Sequence, residues 1–392
     1  MMSFKCIPAH INPLSCGAMK GLVTLFCLLI IHSCAESKRP FYPENIEELT
    51  FELEGKKWEY DTLKSPYRLF LVKDFLFVSQ DKKVNYDEPM IHAFDKTTLA
   101  HIGALGKNGM GPNEMLYASH LDMDSSDSTM LVFDGINKRI SKFDFAQLGV
   151  KNLLSNEQIT LSSNMFDAIK TYKASDSTYL SISTQKKYMF NEYDLKGNWI
   201  NGYGLWPEPT NDKLLSGFSG MERNFLLIEI NAAWYRKKMG GHWYGLAMVY
   251  RDRVELFNYK TKELKSIEGP ELIEEIQPFK IAGSGSSLSG AYGRDAQYTY
   301  RDLVFKDKNI YALYGGHSQV DYQETGIVAK TIFVFSYDGQ LIGKLLLDRS
   351  VVALEVDEEL GKIYTTTTDE DPGIAVFDLP EVFLGKRKDK LE

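Results

Sequence analysis

The sequence predicts an all-β protein, a six-bladed β-propeller. Two kinds of short strand alternate in strict order, six times each, with a period near 50 residues. A period of that size, with several strands per unit, is the mark of a propeller. A duplicated turn supports it: Ser126-Asp127-Ser128-Thr129 and Ser175-Asp176-Ser177-Thr178 stand 49 residues apart, each just before a strand of the first kind.

The first kind of strand is a β-branched and aromatic run after a polar turn. Its members begin at Phe75, Met130, Tyr179, Phe225, Ile310 and Ile363, with spacings of 55, 49, 46, 85 and 53. The second kind ends on an aromatic residue, usually followed by an acid. Its members are Phe94-Asp95, Phe143-Asp144, Tyr193-Asp194, Phe257-Asn258, Tyr337-Asp338 and Phe377-Asp378. Hairpin turns follow, as in Lys196-Gly197-Asn198 and Asp338-Gly339-Gln340. A small antiparallel sheet cannot bury both faces alone, and packing such sheets around a channel solves that. A β-sandwich is the alternative and leaves the strict period unexplained. Leu49-Thr50-Phe51-Glu52-Leu53 precedes the first unit and is expected to complete the short last blade, closing the ring.

All four cysteines (Cys6, Cys16, Cys27, Cys34) lie at the start of the chain, so no disulfide is available to the body. The apolar run Leu22 to Ile31 is too short to span a bilayer, which needs about 20 residues, and has the length of a signal-peptide core. With Ile31-His32-Ser33-Cys34 behind it, it resembles the signal of a bacterial lipoprotein. The resemblance implies cleavage before Cys34, lipidation of that cysteine, and a membrane anchor. Residues 1–33 are then a signal peptide, with Met19 as an alternative start. Residues 34–44 form a polar, proline-bearing tether, 45–385 the propeller, and 386–392 a basic tail. The chain lacks the acidic run that marks export to the cell surface in the Bacteroidetes-type lipoproteins it resembles, and that resemblance implies an outer-membrane protein facing the periplasm of a Gram-negative envelope.

The formal net charge is −8, and residues 1–34 hold two lysines and no acid, so the mature chain is more acidic still. That argues against nucleic acid as a partner. Gly106-Lys107-Asn108-Gly109-Met110-Gly111-Pro112-Asn113-Glu114 has neither the glycine offsets of a dinucleotide fingerprint nor the Gly-Lys-Ser/Thr of a P-loop. It reads as a blade-to-blade crossing, with a backbone-amide anion nest as the rival reading. This loop, together with the Phe-Asp strand ends, resembles the TolB-like six-bladed propeller lipoproteins of Bacteroidetes. The resemblance covers roughly residues 45–385 and implies fold and location more than activity. Asp61-Thr62-Leu63, Asp127-Ser128-Thr129 and Asp176-Ser177-Thr178 also resemble Bacteroidetes O-glycosylation sites, on Thr62, Ser128 and Ser177.

No catalytic constellation emerges, and no cofactor or metal is expected. The histidines His92, His101, His120, His242 and His317 lack zinc-ligand spacing, and no serine sits in a nucleophile elbow. Leu121-Asp122-Met123-Asp124 and Tyr300-Arg301-Asp302-Leu303 are inner-strand candidates, yet they form no repeated ligand set. The 85-residue spacing singles out residues 231–297, expected to project as a binding rim. Its candidates are Trp234, Tyr235, Arg236, His242, Trp243, Tyr244, Tyr292, Arg294 and Asp295, with His317 at a nearby strand end. The expected function is a lipid-anchored, non-catalytic module binding a protein or a glycan. The rival is a metal-dependent propeller enzyme of lactonase or lyase type, which would need carboxylates converging in the channel.

Overall fold

A computed structural model describes residue 43 and residues 46–384, apart from 82–83, 119, 125–127, 145–146, 150–152, 210–214, 272, 274–278 and 282–288. Cys34, the tether apart from residue 43, the basic tail, Ser126 and Asp127 lie outside the described residues.

Six antiparallel sheets follow one another. Blade 1 holds Pro66–Val72, Phe75–Gln80, Pro89–Asp95 and His101–Asn108, and blade 2 holds His120–Met123, Thr129–Asp134, Arg139–Asp144 and Glu157–Thr160. Blade 3 holds Ala168–Lys173, Thr178–Ser183, Tyr188–Asp194 and Trp199–Leu205, and blade 4 holds Ala233–Lys237, Trp243–Met248, Arg253–Asn258 and Glu263–Glu268. Blade 5 runs Gln297–Phe305, Asn309–Ser318, Thr331–Ser336 and Leu341–Leu347, and blade 6 runs Val351–Asp357, Lys362–Thr367 and Gly373–Asp378. The first strand of each blade lines the channel.

Each seam between blades is an apolar cluster. Phe70, Met90 and Ile91 meet Leu121, Val132 and Phe143 between blades 1 and 2. Leu131 and Phe133 meet Met165, Tyr179 and Tyr193 between blades 2 and 3. The circuit ends where Tyr364 and Ile374 of blade 6 pack on Leu69, Leu76 and Phe94 of blade 1. Second strands are buried on both faces, Thr178–Ser183 at every position, whereas the outer strand Trp199–Leu205 has no buried residue. That contrast makes the second strands legible as continuous apolar runs.

The acid after the aromatic in third strands caps the following turn. Asp95 Oδ1 accepts from the N–H groups of Thr97 and Thr98 at 3.0 and 2.7 Å, and Asn258 Oδ1 accepts from those of Lys260 and Thr261 at 3.0 and 3.2 Å. The glycine-rich loop is also held by its own residues. Glu114 Oε2 accepts the Gly111 N–H at 2.7 Å and Glu114 pairs with Lys107 at 2.8 Å, while Gly106 adopts φ +70°. Its acid thus occupies the position that a bound anion would take.

Two expectations are corrected. Phe225-Leu226-Leu227-Ile228 is not a strand but part of helix α1, Gly220–Ile230, whose Leu226, Leu227, Ile228 and Ile230 are buried against the blade 3–4 seam. A short apolar run does not by itself separate helix from strand, and Met221-Glu222-Arg223 are good helix formers. The true second strand of blade 4 is Trp243–Met248. The extra length therefore lies in the crossings before and after blade 4, around 206–232 and 269–296, and not in a projecting hairpin. The second correction concerns ring closure. Thr50–Leu53 adds to blade 5, pairing in parallel with Lys344–Leu347. Lys56–Glu59 is the outer strand of blade 6, antiparallel to Gly373–Val376.

Candidate functional site at the channel mouth

The innermost strands all run the same way, so their starts share one mouth of the channel and their ends share the other. Crossings between blades and the turns between second and third strands gather around the starting mouth. That mouth therefore carries α1 and helix α2, Gln319–Thr325, which opens with a Ser318–Asp321 capping box.

An ionic knot closes the middle of the channel. Asp302 is fully buried and accepts from Arg236 Nε and Nη2, both at 2.8 Å. It also faces Arg68 Nη1 at 3.3 Å and accepts the N–H groups of Leu303 and Leu354 at 2.9 and 3.2 Å. Arg236 donates to Leu69 O at 3.2 Å and Arg68 to Arg301 O at 2.9 Å, so blades 1, 4, 5 and 6 are tied at one carboxylate. Burial alone would raise the Asp302 pKa. The two guanidinium groups outweigh it and hold that carboxyl below its usual range.

At the finishing mouth three lysines of the innermost strands and the turns beside them each meet an acid. Lys237 pairs with Asp122 at 2.6 Å, Lys173 with Asp124 at 2.7 Å, and Lys306 with Glu355 at 2.8 Å.

The starting mouth is different. The Arg68 guanidinium lies 3.8 Å over the Trp234 ring and 4.7 Å from the Tyr67 ring, and the Trp234 indole N–H donates to Tyr300 O at 2.9 Å. Tyr67 and Tyr117 hydroxyls meet at 3.4 Å. Lys170 bonds the carbonyl of Ala233 and lies 5.6 Å from the Trp234 ring. Arg301 sits 4.3 Å over Tyr298, and its buried Nε has no hydrogen-bond partner. From Tyr298 the rings continue outwards, to Tyr250 at 5.4 Å and then to Tyr292, stacked on Tyr250 at 3.7 Å. Among the described residues neither Lys170 nor Arg301 has a carboxylate within 4.0 Å. Burial, with the Arg68 charge adding to it, pushes the Lys170 ammonium down to about 7, although its side chain still reaches solvent. Burial likewise lowers Arg301.

The sequence candidates divide over three places. Trp234 and Tyr292 belong to this mouth, and His317 stands opposite Tyr298 in strand register. Arg294 and Asp295 are exposed beside it, Arg294 bonding Gln323 of α2. Tyr235 (2 % exposed), Arg236 (6 %) and Tyr244 (0 %) are internal, so they offer no rim surface. Their strands are the first and second of blade 4, the most enclosed positions of a propeller. His242 and Trp243 mark the other end of that blade. His242 is exposed in its turn and Trp243 packs on Tyr337 at 5.2 Å. Thr62, Ser128 and Ser177 are all exposed.

Sequence reasoning placed Asp122, Arg301 and Asp302 on inner strands but missed Arg68 and Lys170. One signal was available: Lys170, Thr171 and Lys173 interrupt the apolar pattern of Ala168–Lys173, which suits a channel wall better than a core.

A second concavity of about 460 Å³ lies on blade 1, lined by Asp61, Thr62, Lys64, Glu88, His92 and His101 among others. Two of the histidines that look scattered in the sequence, His92 and His101, meet here. Gln80 Oε1 accepts the Lys64 N–H at 2.9 Å, so Gln80 Nε2 donates to His92 Nε2 at 3.0 Å. His92 Nδ1–H then donates to His101 Nε2 at 3.2 Å. Burial, aided by the His101 charge, lowers His92 to about 4. Burial lowers His101 as well. Among the described residues no group of three or more His, Cys, Asp or Glu could hold a metal.

No curated protein matches the chain. Among solved structures, a Bacteroides fragilis NCTC 9343 protein inferred to be exported aligns over 84 % of this chain and 98 % of its own, at 11 % identity and a TM-score of 0.49. A DUF4221 family member from Bacteroides vulgatus ATCC 8482 aligns over 83 % and 98 %, at 12 % identity and a TM-score of 0.47. The family model described as TolB-like 6-blade propeller-like matches residues 44–359, and the chain belongs to that family.

Proposed function

We propose that this chain is a non-catalytic binding module, lipid-anchored through Cys34 in a Gram-negative cell envelope, that takes a glycan at the starting mouth of its channel. One observation carries the reading: the ribbon of rings Tyr292, Tyr250, Tyr298 and, beyond it, Trp234 and Tyr67, of which Tyr298, Trp234 and Tyr67 are set on channel-lining strands among cations. Aromatic faces stack on sugar rings, and rings fixed by a scaffold lose little freedom when a ligand arrives. A metal-dependent lactonase or lyase would need open carboxylates in the channel. Asp302, Asp122, Asp124 and Glu355 each face a cation instead, so a metal would first have to displace an arginine or lysine. The test is an array of envelope and plant-type oligosaccharides probed with the chain from residue 43 onwards. Trp234→Ala together with Tyr298→Ala should abolish the signal while the melting curve stays cooperative. An unchanged array profile in that double variant refutes the reading.

A further inference from the structure

The two mouths of this channel treat their cations in opposite ways. At the finishing mouth Lys237, Lys173 and Lys306 are each neutralised by a carboxylate within 2.8 Å. At the starting mouth the one acid at hand, Asp302, faces Arg68 at 3.3 Å and is already bidentate to Arg236, while among the described residues Lys170 and Arg301 have no carboxylate within 4.0 Å. The three cations are near enough to feel one another. The Arg68 charge acts on both Lys170 and Arg301, and Arg68 bonds the Arg301 carbonyl. Gathering like charges in a partly enclosed, low-dielectric setting is unfavourable unless an opposite charge joins them. The same protein shows, at its other end, that a lysine in this setting is ordinarily given an acid.

We propose that the starting mouth carries a carboxylate subsite formed by Lys170, Arg301 and Arg68, and that the ligand of the aromatic ribbon is an acidic saccharide. This deepens the glycan reading and rests on it for the sugar, but not for the carboxylate. The roles divide by chemistry. Trp234 and Tyr298 each carry a guanidinium on one face and are half-buried, so part of each ring reaches solvent. Arg301 is half-buried with an unpaired Nε and no carboxylate within 4.0 Å among the described residues, and Lys170 spends one donor on Ala233 O and keeps the others. The chain is acidic overall, so the site selects its anion by local geometry and not by a general positive field. A uronate satisfies both halves, with its ring on the aromatic side and its carboxylate among the cations.

The experiment compares trigalacturonate with its methyl ester, which keeps the rings and removes the charge, and with succinate, which keeps the charge and removes the rings. Calorimetry on the chain from residue 43 should show the acid binding at least 10-fold more tightly than the ester. Lys170→Met and Arg301→Gln should each remove that difference without loss of cooperative unfolding, and Trp234→Ala should weaken acid and ester alike. Equal binding of acid and ester overturns the carboxylate subsite and leaves the glycan reading standing. Binding of succinate alone, lost in Lys170→Met, keeps the subsite and overturns the glycan reading. Failure of all three probes overturns both.

Discussion

Asp302 is the residue whose loss the fold should feel most. Replacing it with alanine leaves Arg236, 6 % exposed, and Arg68, 3 % exposed, without their shared counter-charge, and leaves the Leu303 and Leu354 N–H groups without an acceptor. Removing one partner of a buried ion pair costs about 3–5 kcal/mol. Each stranded N–H adds roughly 1 kcal/mol or more. For a domain of this size that corresponds to a melting temperature lower by on the order of 10 °C. Urea unfolding of Asp302→Ala followed by tryptophan fluorescence should show the loss as a lower midpoint with an unchanged slope. The companion variant decides the cause. Arg68→Met, Arg236→Met and Asp302→Leu combined replace the whole knot with apolar groups of similar length. If unpaired charge is the source of the loss, the triple variant recovers most of it, because an apolar replacement of a complete ionic cluster is often neutral. A loss below about 1 kcal/mol in the single variant would show that water reaches Arg236 and Arg68. A triple variant as unstable as the single one would show that shape, and not charge, holds the blades together.

Other outcomes follow from the same structure. His92, lowered to about 4 in the fold against about 6.5 unfolded, makes the unfolded chain bind more protons between those values, so stability falls as pH drops through that window. The loss between pH 7 and 5 should be about 2 kcal/mol, and His92→Gln should flatten it in urea melts taken at each pH. Lys170 is also lowered, to about 7, so its charge penalises the fold below neutral pH and the penalty fades as pH rises towards 10.5. Lys170→Met should therefore raise the melting temperature at pH 6 and change it little at pH 10. A chain starting at residue 60 lacks both Thr50–Leu53 and Lys56–Glu59 and should melt well below the longer one. Cys34→Ser should abolish lipid labelling and detergent-phase partition; unchanged partition of that variant would exclude the anchor.

The blade count was legible because each blade repeats two local necessities. A second strand enclosed on both faces must be apolar, and a third strand must end in a turn that Asp95, Asp194 or Asn258 can cap. The innermost strands were harder to read. Ala168–Lys173 faces neighbours on one side and a polar channel on the other, so Lys170 and Lys173 break its hydrophobic pattern. The closing strand was misplaced by a few positions for a similar reason: Lys56-Lys57-Trp58-Glu59 has no buried residue, and an outer strand gives no apolar signal. The binding rim was half legible. Aromatic density around residue 234 was visible, but burial depends on which strand of a blade a residue occupies. Reading Phe225–Ile228 as a strand moved Tyr235 and Tyr244 out of the interior.

The pairing of Lys56–Glu59 with Gly373–Val376 has a consequence for how the protein is made. Synthesis delivers the latch first and its keeper last. Until the third strand of blade 6 exists, Trp58 has no Ile374 to face, and five finished blades form an open crescent with a sticky edge at each end. Contacts between residues so far apart in sequence form slowly. Maturation should therefore have a late, all-or-nothing event in which both loose edges vanish together. Once it has happened, no blade can peel away without first undoing the join between the two ends of the ring, and resistance to proteolysis should appear at that moment and not gradually.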